Sequence, residues 1–118
     1  MTSRTDSERL VDILDRIGRI EFAEILLLEA EEDEESWEEA EVAFDAILYD
    51  LLVIGEAVKA LSEKFKKAHE TIQWNQIAGM RNILTHEYFR VDGKIVRATI
   101  DKPLQELKQV CESEGQNS

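Results

Sequence analysis

The sequence predicts an all-α protein, an antiparallel four-helix-type bundle that forms a homodimer. Apolar residues recur at the three- and four-residue spacing of helices through most of the chain. The 118 residues include one proline and five glycines, and 43% are hydrophobic and 34% charged, a composition typical of helical globular proteins. A chain of this length buries one hydrophobic core, so we expect a single domain covering residues 1–118.

The first helix is predicted to begin at Thr5, because Thr5 and Glu8 have the spacing of a capping box. Apolar residues then recur along one side of the helix while charged residues occupy the other, which is typical of a helix that lies on a core. The predicted core positions are Leu10, Ile13, Leu14, Ile17 and Leu28.

An acidic segment follows this helix. Residues 29–41 include nine acidic and no basic side chains, so they hold nine of the twelve excess negative charges of the chain. Like charges repel each other, and we expect the middle of the segment to be a solvated connector. Glu38, Glu39 and Glu41 would complement the positive end of the next helix dipole. A docking surface for a basic partner is the alternative.

The second helix is predicted to run from about residue 37 to residue 66. Residues 46–54 are apolar on almost every side of the helix, and a bundle of this size has little material to bury them alone. We therefore expect a symmetric homodimer and place Tyr49 in the core or the interface. Small residues after Ile54 would let a neighbouring helix approach closely. The densest basic patch follows and could simply complement the helix dipole: Lys59, Lys64, Lys66 and Lys67.

Trp74 and Asn75 are predicted to introduce the third helix, with Asn75 as its N-cap. Ile77, Met80 and Leu84 have the spacing of one buried stripe, and Gly79 would permit close packing. This helix carries the most chemically specific residues of the chain.

The fourth helix is predicted to be capped by Asp92 and broken or kinked near Pro103, because proline lacks an N–H donor and clashes with the preceding turn. Residues 114–118 are expected to form a frayed tail. The apolar positions of this helix include Ile95, Val96, Ile100, Leu104, Leu107 and Val110.

Composition also limits the functional classes. No apolar run is long enough to span a bilayer and the charged N-terminus lacks the apolar core of a signal peptide, so we expect a cytoplasmic protein. The single cysteine, Cys111, excludes an internal disulfide and is predicted to be a packing residue rather than a nucleophile. Trp37 and Trp74 are predicted to anchor packing rather than to stack on nucleic-acid bases.

Residues 77–89 combine a permanent cation, an imidazole and a phenol: Arg81, His86 and Tyr88. On a helix Arg81 and Tyr88 share a face, whereas His86 lies about 140° round from Arg81. A cleft between two subunits, which receives the motif of both subunits, would bring the arginine and the histidine together.

This set of side chains suits the cleavage of RNA. Arginine presents a planar fork of donors to phosphate oxygens, and histidine exchanges protons near neutral pH. The neighbouring 2′-hydroxyl of RNA supplies the nucleophile, so the protein need only move protons and stabilise charge on the phosphate. We expect no catalytic metal ion and no cofactor. An arginine and a histidine on one helix are also compatible with a surface ion pair and a core histidine.

The pattern Arg-Asn-X-X-X-His-X-Tyr, formed here by Arg81, Asn82, His86 and Tyr88, resembles the signature of the HepT-like toxins of the HEPN superfamily. The resemblance extends over roughly residues 46–110. Further segments similar to that family in content and order are residues 54–61, 74–80 and 91–92.

The resemblance implies an antiparallel helical dimer whose cleft cuts RNA as the toxin of a type VII toxin-antitoxin system. In that cleft Arg81 would bind and stabilise the phosphate, His86 would transfer protons and Asn82 would orient the site. It also implies a partner, an MntA-like nucleotidyltransferase antitoxin that silences the toxin by adding AMP groups to Tyr88. An added nucleotide brings bulk and negative charge to the place of the RNA phosphate. A larger assembly with the antitoxin stays an open alternative.

Two alternatives come from other functional classes. The chain could be a non-catalytic nucleotide- or partner-binding module whose motif is a docking and modification site. It could also be a structural dimer in which Arg81 and His86 pair only with acidic neighbours such as Glu87. RNA cleavage by the wild-type protein separates the nuclease from both.

Overall fold

The computed structural model of the chain describes residues 4–87 and 92–117. These residues form six α-helices and one short 3₁₀ helix and include no strand, which confirms the all-α class. Within these ranges no helix combines the length and the apolar character needed to cross a bilayer. The helices are α1 (Arg4–Glu31), α2 (Trp37–Ala60), α3 (Glu63–Ala68), α4 (Trp74–Glu87), α5 (Gly93–Ile100) and α6 (Lys102–Asn117), and the 3₁₀ helix is Glu34–Ser36.

The most extensive contact between helices is that of α1 with α2. These two helices form an antiparallel hairpin because only residues 32–36 connect them. α4 packs against α2, α6 packs against α1, and α5 packs against α6. One hydrophobic cluster fills the space between these helices. Most of the predicted core positions lie in it: Leu10, Ile13, Ile17, Ile77, Met80, Leu84, Val96, Ile100, Leu104 and Leu107.

The middle of the acidic segment, residues 32–36, is a short and largely exposed connector between α1 and α2, as expected from its charge. Asp33 caps the 3₁₀ helix by accepting hydrogen bonds from the Glu35 N–H at 3.0 Å and the Ser36 hydroxyl at 3.3 Å. Glu38 and Glu39 lie in the first turn of α2, where they complement its dipole.

The predicted extent of the second helix was wrong, because the helix ends at Ala60 and a separate helix, α3, begins at Glu63. Ser62 is the N-cap of α3, and its hydroxyl oxygen accepts a hydrogen bond from the Phe65 N–H at 3.1 Å. The buried carboxylate of Asp6 accepts from the Ser62 N–H at 2.9 Å and from its hydroxyl at 2.6 Å. Asp6, which lies 56 residues earlier in the chain, therefore fixes the interruption between α2 and α3.

The third helix begins at Trp74, as predicted, but the predicted start of the first helix and the predicted N-cap of the third were wrong. Thr5 lies inside α1, which already includes Arg4, and Asn75 lies in the first turn of α4 rather than before it. The start of α4 is fixed by Trp74, whose indole N–H donates to the carbonyl oxygens of Lys66 at 3.1 Å and His69 at 3.0 Å. This tryptophan anchors packing, as predicted.

The fourth predicted helix is two helices. Asp92 caps α5 by accepting from the Lys94 N–H at 2.8 Å, and Pro103 lies in the first turn of α6, directly after the predicted break. The expectation of a frayed tail was wrong, because α6 continues to residue 117. A polar contact of 3.2 Å between the Glu114 Oε1 and the His69 Nε2 joins the end of α6 to the segment after α3.

Several apolar side chains predicted to pack are exposed in the single chain. Leu28 is 55% exposed and Ile95 is 45% exposed, and Trp37 is 61% exposed instead of anchoring the core. Tyr49 is exposed beside Arg16, whose guanidinium lies 5.4 Å from the ring centroid. These side chains lie on faces that no described helix covers.

Cys111 is a packing residue, as predicted. It is buried in the core cluster. Burial raises the pKa of its thiol to about 12, so the thiol stays protonated and unreactive near neutral pH.

Candidate functional site

The described part of the candidate site is built where α4 packs against α2, at the contact between Arg81 and Gly55. A Cβ atom added to Gly55 would overlap the Cβ of Arg81 and lie 3.4 Å from its Cα. The absence of a side chain at Gly55 therefore allows this part of α4 to contact α2. Gly79 does not have this role, contrary to the expectation from sequence, because no described atom lies within 4 Å of a Cβ added there.

Two side chains hold the Arg81 guanidinium in place. Glu56, the residue after Gly55 on α2, accepts a hydrogen bond from the Arg81 Nε through its Oε1. Asn82 accepts from the Arg81 Nη1 through its Oδ1 at 3.1 Å, and the Thr85 hydroxyl donates to the Arg81 carbonyl at 2.9 Å. These bonds leave further guanidinium N–H groups that no described residue engages, because arginine has five such donors.

His86 lies apart from Arg81 within one chain. It is exposed in the last turn of α4, about 140° round the helix from Arg81 and about 7.5 Å along its axis. Within the described ranges no hydrogen bond or ion pair engages its ring. Tyr88, the candidate modification site, lies outside the described residues. The structure thus brings Arg81 and Asn82 together with Glu56, and does not bring His86 to them.

A polar cleft of about 420 Å³ adjoins this cluster on the α1–α2 side. Arg16 of α1 lines it and donates to the buried Asp50 of α2 at 3.0 Å. The hydrogen bond to Asp50 raises the pKa of Arg16, so the guanidinium stays charged. The other lining residues include Arg9, Asp12, Asp15 and Glu56.

No group of three or more His, Cys, Asp or Glu side chains in the described part of the chain is arranged to hold a metal ion. The described residues at this contact provide a fixed cation, Arg81, beside the carboxylate of Glu56 and the amide of Asn82. The guanidinium N–H groups that remain can donate to an anion, and phosphate is the anion that an arginine fork fits best.

The sequence alone did not indicate that Gly55 and Glu56 belong to the site. The run of small residues after Ile54 did indicate a close helix approach, and Gly55 confirms it. Glu56 could have been identified from the sequence, because it is a carboxylate directly after Gly55 in a mostly apolar stretch of helix.

Residues 7–114 match the family model described as Ribonuclease HepT-like. Among the most similar curated proteins is one named a candidate RNase in Caldanaerobacter subterraneus subsp. tengcongensis, which is 48% identical over 68 residues, or 57% of this chain and 61% of that protein. Another, named a probable ribonuclease HepT in Thermococcus cleftensis, is 38% identical over 63 residues, or 53% of this chain and 57% of that protein.

A third relative, named a candidate RNase in Methanocaldococcus jannaschii, is 33% identical over 69 residues, or 55% of this chain and 63% of that protein. The chain therefore spans about three fifths of the length of the curated relatives it matches. No solved structure was found to match the chain.

Proposed function

Because the matched model covers most of its length, the chain belongs to the ribonuclease HepT-like family of the HEPN superfamily, and we propose that it is a metal-independent endoribonuclease. The observation that carries the proposal is the fixed position of Arg81 at the α2–α4 contact, where Glu56 and Asn82 orient its guanidinium. The RNase names of the similar proteins support the same activity. We propose that the protein acts on RNA in the cytoplasm.

In the proposed reaction the RNA supplies its own nucleophile. The 2′-oxygen attacks the adjacent phosphorus, a bond forms between them, and the bond from phosphorus to the 5′-oxygen of the next nucleotide breaks. One His86 copy of the cleft accepts the 2′-hydroxyl proton as the new bond to phosphorus forms, and the leaving 5′-oxygen takes a proton from the second His86 copy or from water. Arg81 donates hydrogen bonds to the phosphate oxygens as charge gathers on them, and Asn82 keeps its guanidinium oriented. This route needs no metal ion.

The separation of Arg81 and His86 on one helix supports a homodimer whose cleft receives these two side chains from both subunits. An exposed apolar face on α1 and α2 supports it further, because a groove of about 1140 Å³ runs between these helices. This groove and the polar cleft at Glu56 share Asp15, so the groove adjoins the candidate site. Within each copy, α5 and α6 together act as the interrupted fourth helix of an antiparallel four-helix-type bundle. The apolar side chains that the second copy would cover include Phe22, Leu26, Val42 and Tyr49.

We further propose that the protein is the toxin of a toxin-antitoxin pair, silenced when an MntA-like nucleotidyltransferase adds AMP to Tyr88. Tyr88 belongs to the same sequence motif as Arg81 and His86, and an attached nucleotide would bring bulk and negative charge to the place of the RNA phosphate. Co-expression with the neighbouring gene product should increase the mass of the protein in steps of one AMP. Tyr88→Phe should abolish those steps, and AMP addition to that variant would contradict the assignment of the modification site.

Cleavage of RNA by chelator-treated, partner-free protein tests the activity itself. The wild type should cut, and His86→Ala should not cut while its circular dichroism spectrum and unfolding temperature stay unchanged. Exposure of His86 makes this substitution structurally mild. Undiminished cleavage by His86→Ala would contradict the proposed role of this residue.

One observation favours the second candidate, a non-catalytic nucleotide- or partner-binding module. Glu56 already pairs with Arg81, as expected for an arginine whose role is to join two helices. This candidate predicts no cleavage by the wild type but stable association with a nucleotidyltransferase. Cleavage by the wild type, lost in both Arg81→Ala and His86→Ala, would exclude it.

A further inference from the structure

A groove next to the candidate site collects positive charge in a chain whose formal net charge is −12. It has a volume of about 770 Å³ and lies between the end of α2, α3 and the start of α4. We call it the lysine groove. Lys59, Lys66 and Lys67 line one part of it and Gln73, Asn75 and Gln76 line another.

The lysine groove lies one helical turn from the arginine of the site. Lys59 follows Gly55 by four residues on α2, which is about 6 Å along the helix axis. Ala78 lines the groove on α4 and precedes Arg81 by three residues, or about 4.5 Å. Because Gly55 contacts Arg81, the groove and the Arg81 guanidinium lie along the same contact between α2 and α4.

Two of the groove lysines are available to an external anion. Lys66 forms an ion pair with Glu63 at 3.3 Å. Lys59 and Lys67 are exposed, and within the described residues neither forms an ion pair. Glu63 and Glu70 also line the groove, so its cationic character depends on these two lysines.

We propose that the lysine groove binds the single-stranded RNA segment that flanks the phosphate held by Arg81. The proposal rests on the nuclease function proposed above. Lysines contact phosphates without regard to sequence, and the exposed amides of Gln73, Asn75 and Gln76 can reach the edges of unpaired bases. The acidity of the rest of the chain repels RNA elsewhere, so the groove selects the path along which the strand enters the site.

The test measures binding of a fluorescent single-stranded RNA to the full chain carrying His86→Ala, which prevents cleavage during the measurement. The double variant Lys59→Gln/Lys67→Gln should weaken binding about tenfold at low salt. It should also reduce the slope of log affinity against log salt concentration by about 1.4, since each lost phosphate contact removes about 0.7 for a single strand.

The matched control is Lys94→Gln/Lys102→Gln, which removes the same charge from exposed positions on α5 and α6. We expect this control to bind RNA within about twofold of its parent, as is usual for distant surface charges. In the cleavage-competent chain, the groove variant should raise KM and leave kcat unchanged, because the lysines bind substrate and transition state equally.

The outcomes separate this inference from the nuclease proposal. Cleavage by the wild type together with unchanged RNA binding by the groove variant would overturn the inference and leave the nuclease standing. Equal losses in the groove and control variants would also overturn it, because long-range charge would then explain binding. Unchanged RNA binding with loss of binding to an acidic peptide would assign the groove to an acidic protein partner. A wild type that neither binds nor cleaves RNA would overturn both proposals.

Discussion

Substitution of Gly55 by alanine tests the contact on which the site is built. The added Cβ atom would overlap the Cβ of Arg81 and lie 3.1 Å from its Cγ. The first of these atoms is attached directly to the α4 backbone, so a rotamer change of the Arg81 side chain cannot remove the overlap. α4 must therefore move away from α2, and the guanidinium moves with it.

The size of the effect follows from two opposing contributions. Overpacking of a tight contact costs about 1–3 kcal/mol, while replacement of a helical glycine by alanine contributes about 1 kcal/mol of stability. The free energy of unfolding should fall by up to about 2 kcal/mol, which lowers Tm by up to about 8 °C in a chain of this length. A displacement of Arg81 by up to about 1 Å should reduce cleavage by about 100-fold.

Gly79→Ala is the matched control, since it lies on the same helix as Arg81 and its added Cβ would meet no described atom within 4 Å. It should raise stability by up to about 1 kcal/mol and leave cleavage unchanged. Thermal unfolding at equal protein concentration and RNA cleavage at a temperature where all variants are folded provide the two measurements. Equal stability and equal activity of Gly55→Ala and Gly79→Ala would refute the reasoning.

Three further predictions use other contacts. Glu56→Gln keeps an acceptor for the Arg81 Nε–H but removes a charge that repels phosphate, so RNA affinity should rise by up to about fivefold, and a fall in affinity would contradict this. Asp6→Ala should lower the free energy of unfolding by about 2 kcal/mol in urea titrations, because the Ser62 N–H and hydroxyl lose their buried acceptor. With its pKa raised to about 12, the Cys111 thiol is ionised in only about one molecule in ten thousand at pH 8, so folded protein should resist alkylation. Because this pKa lies above the unfolded value, the contribution of the thiol to stability should be fully present below about pH 8.5 and fall as pH rises above it, and a contribution that rises there would contradict the assignment.

Local patterns in the sequence predicted those parts of the fold that depend on local physics. The stripe of Ile77, Met80 and Leu84 is buried because residues at helical spacing share one face of α4. The Asp92 cap and the break before Pro103 follow from side-chain and backbone chemistry within a few residues. These features needed no knowledge of distant parts of the chain.

Contacts between distant residues account for what the sequence did not predict. The break at Ser62 depends on Asp6, which no pattern near residue 62 reveals. The motif identified Arg81, but the carboxylate that orients its guanidinium comes from Glu56, 25 residues earlier. Leu28 continues the apolar pattern of α1 and is nevertheless exposed, because the described helices cover a different part of that face.

The proposed mechanism requires an active cleft that combines Arg81 of one subunit with His86 of the other, since the two residues of one chain lie about 140° apart round the helix. Arg81→Ala and His86→Ala subunits should each be inactive alone. Co-expressed with different tags and purified as the mixed dimer, they should restore cleavage of RNA in the presence of chelator, because one cleft then has both wild-type groups. A mixed dimer as inactive as either parent, alongside an active wild-type dimer purified in the same way, would contradict the shared cleft.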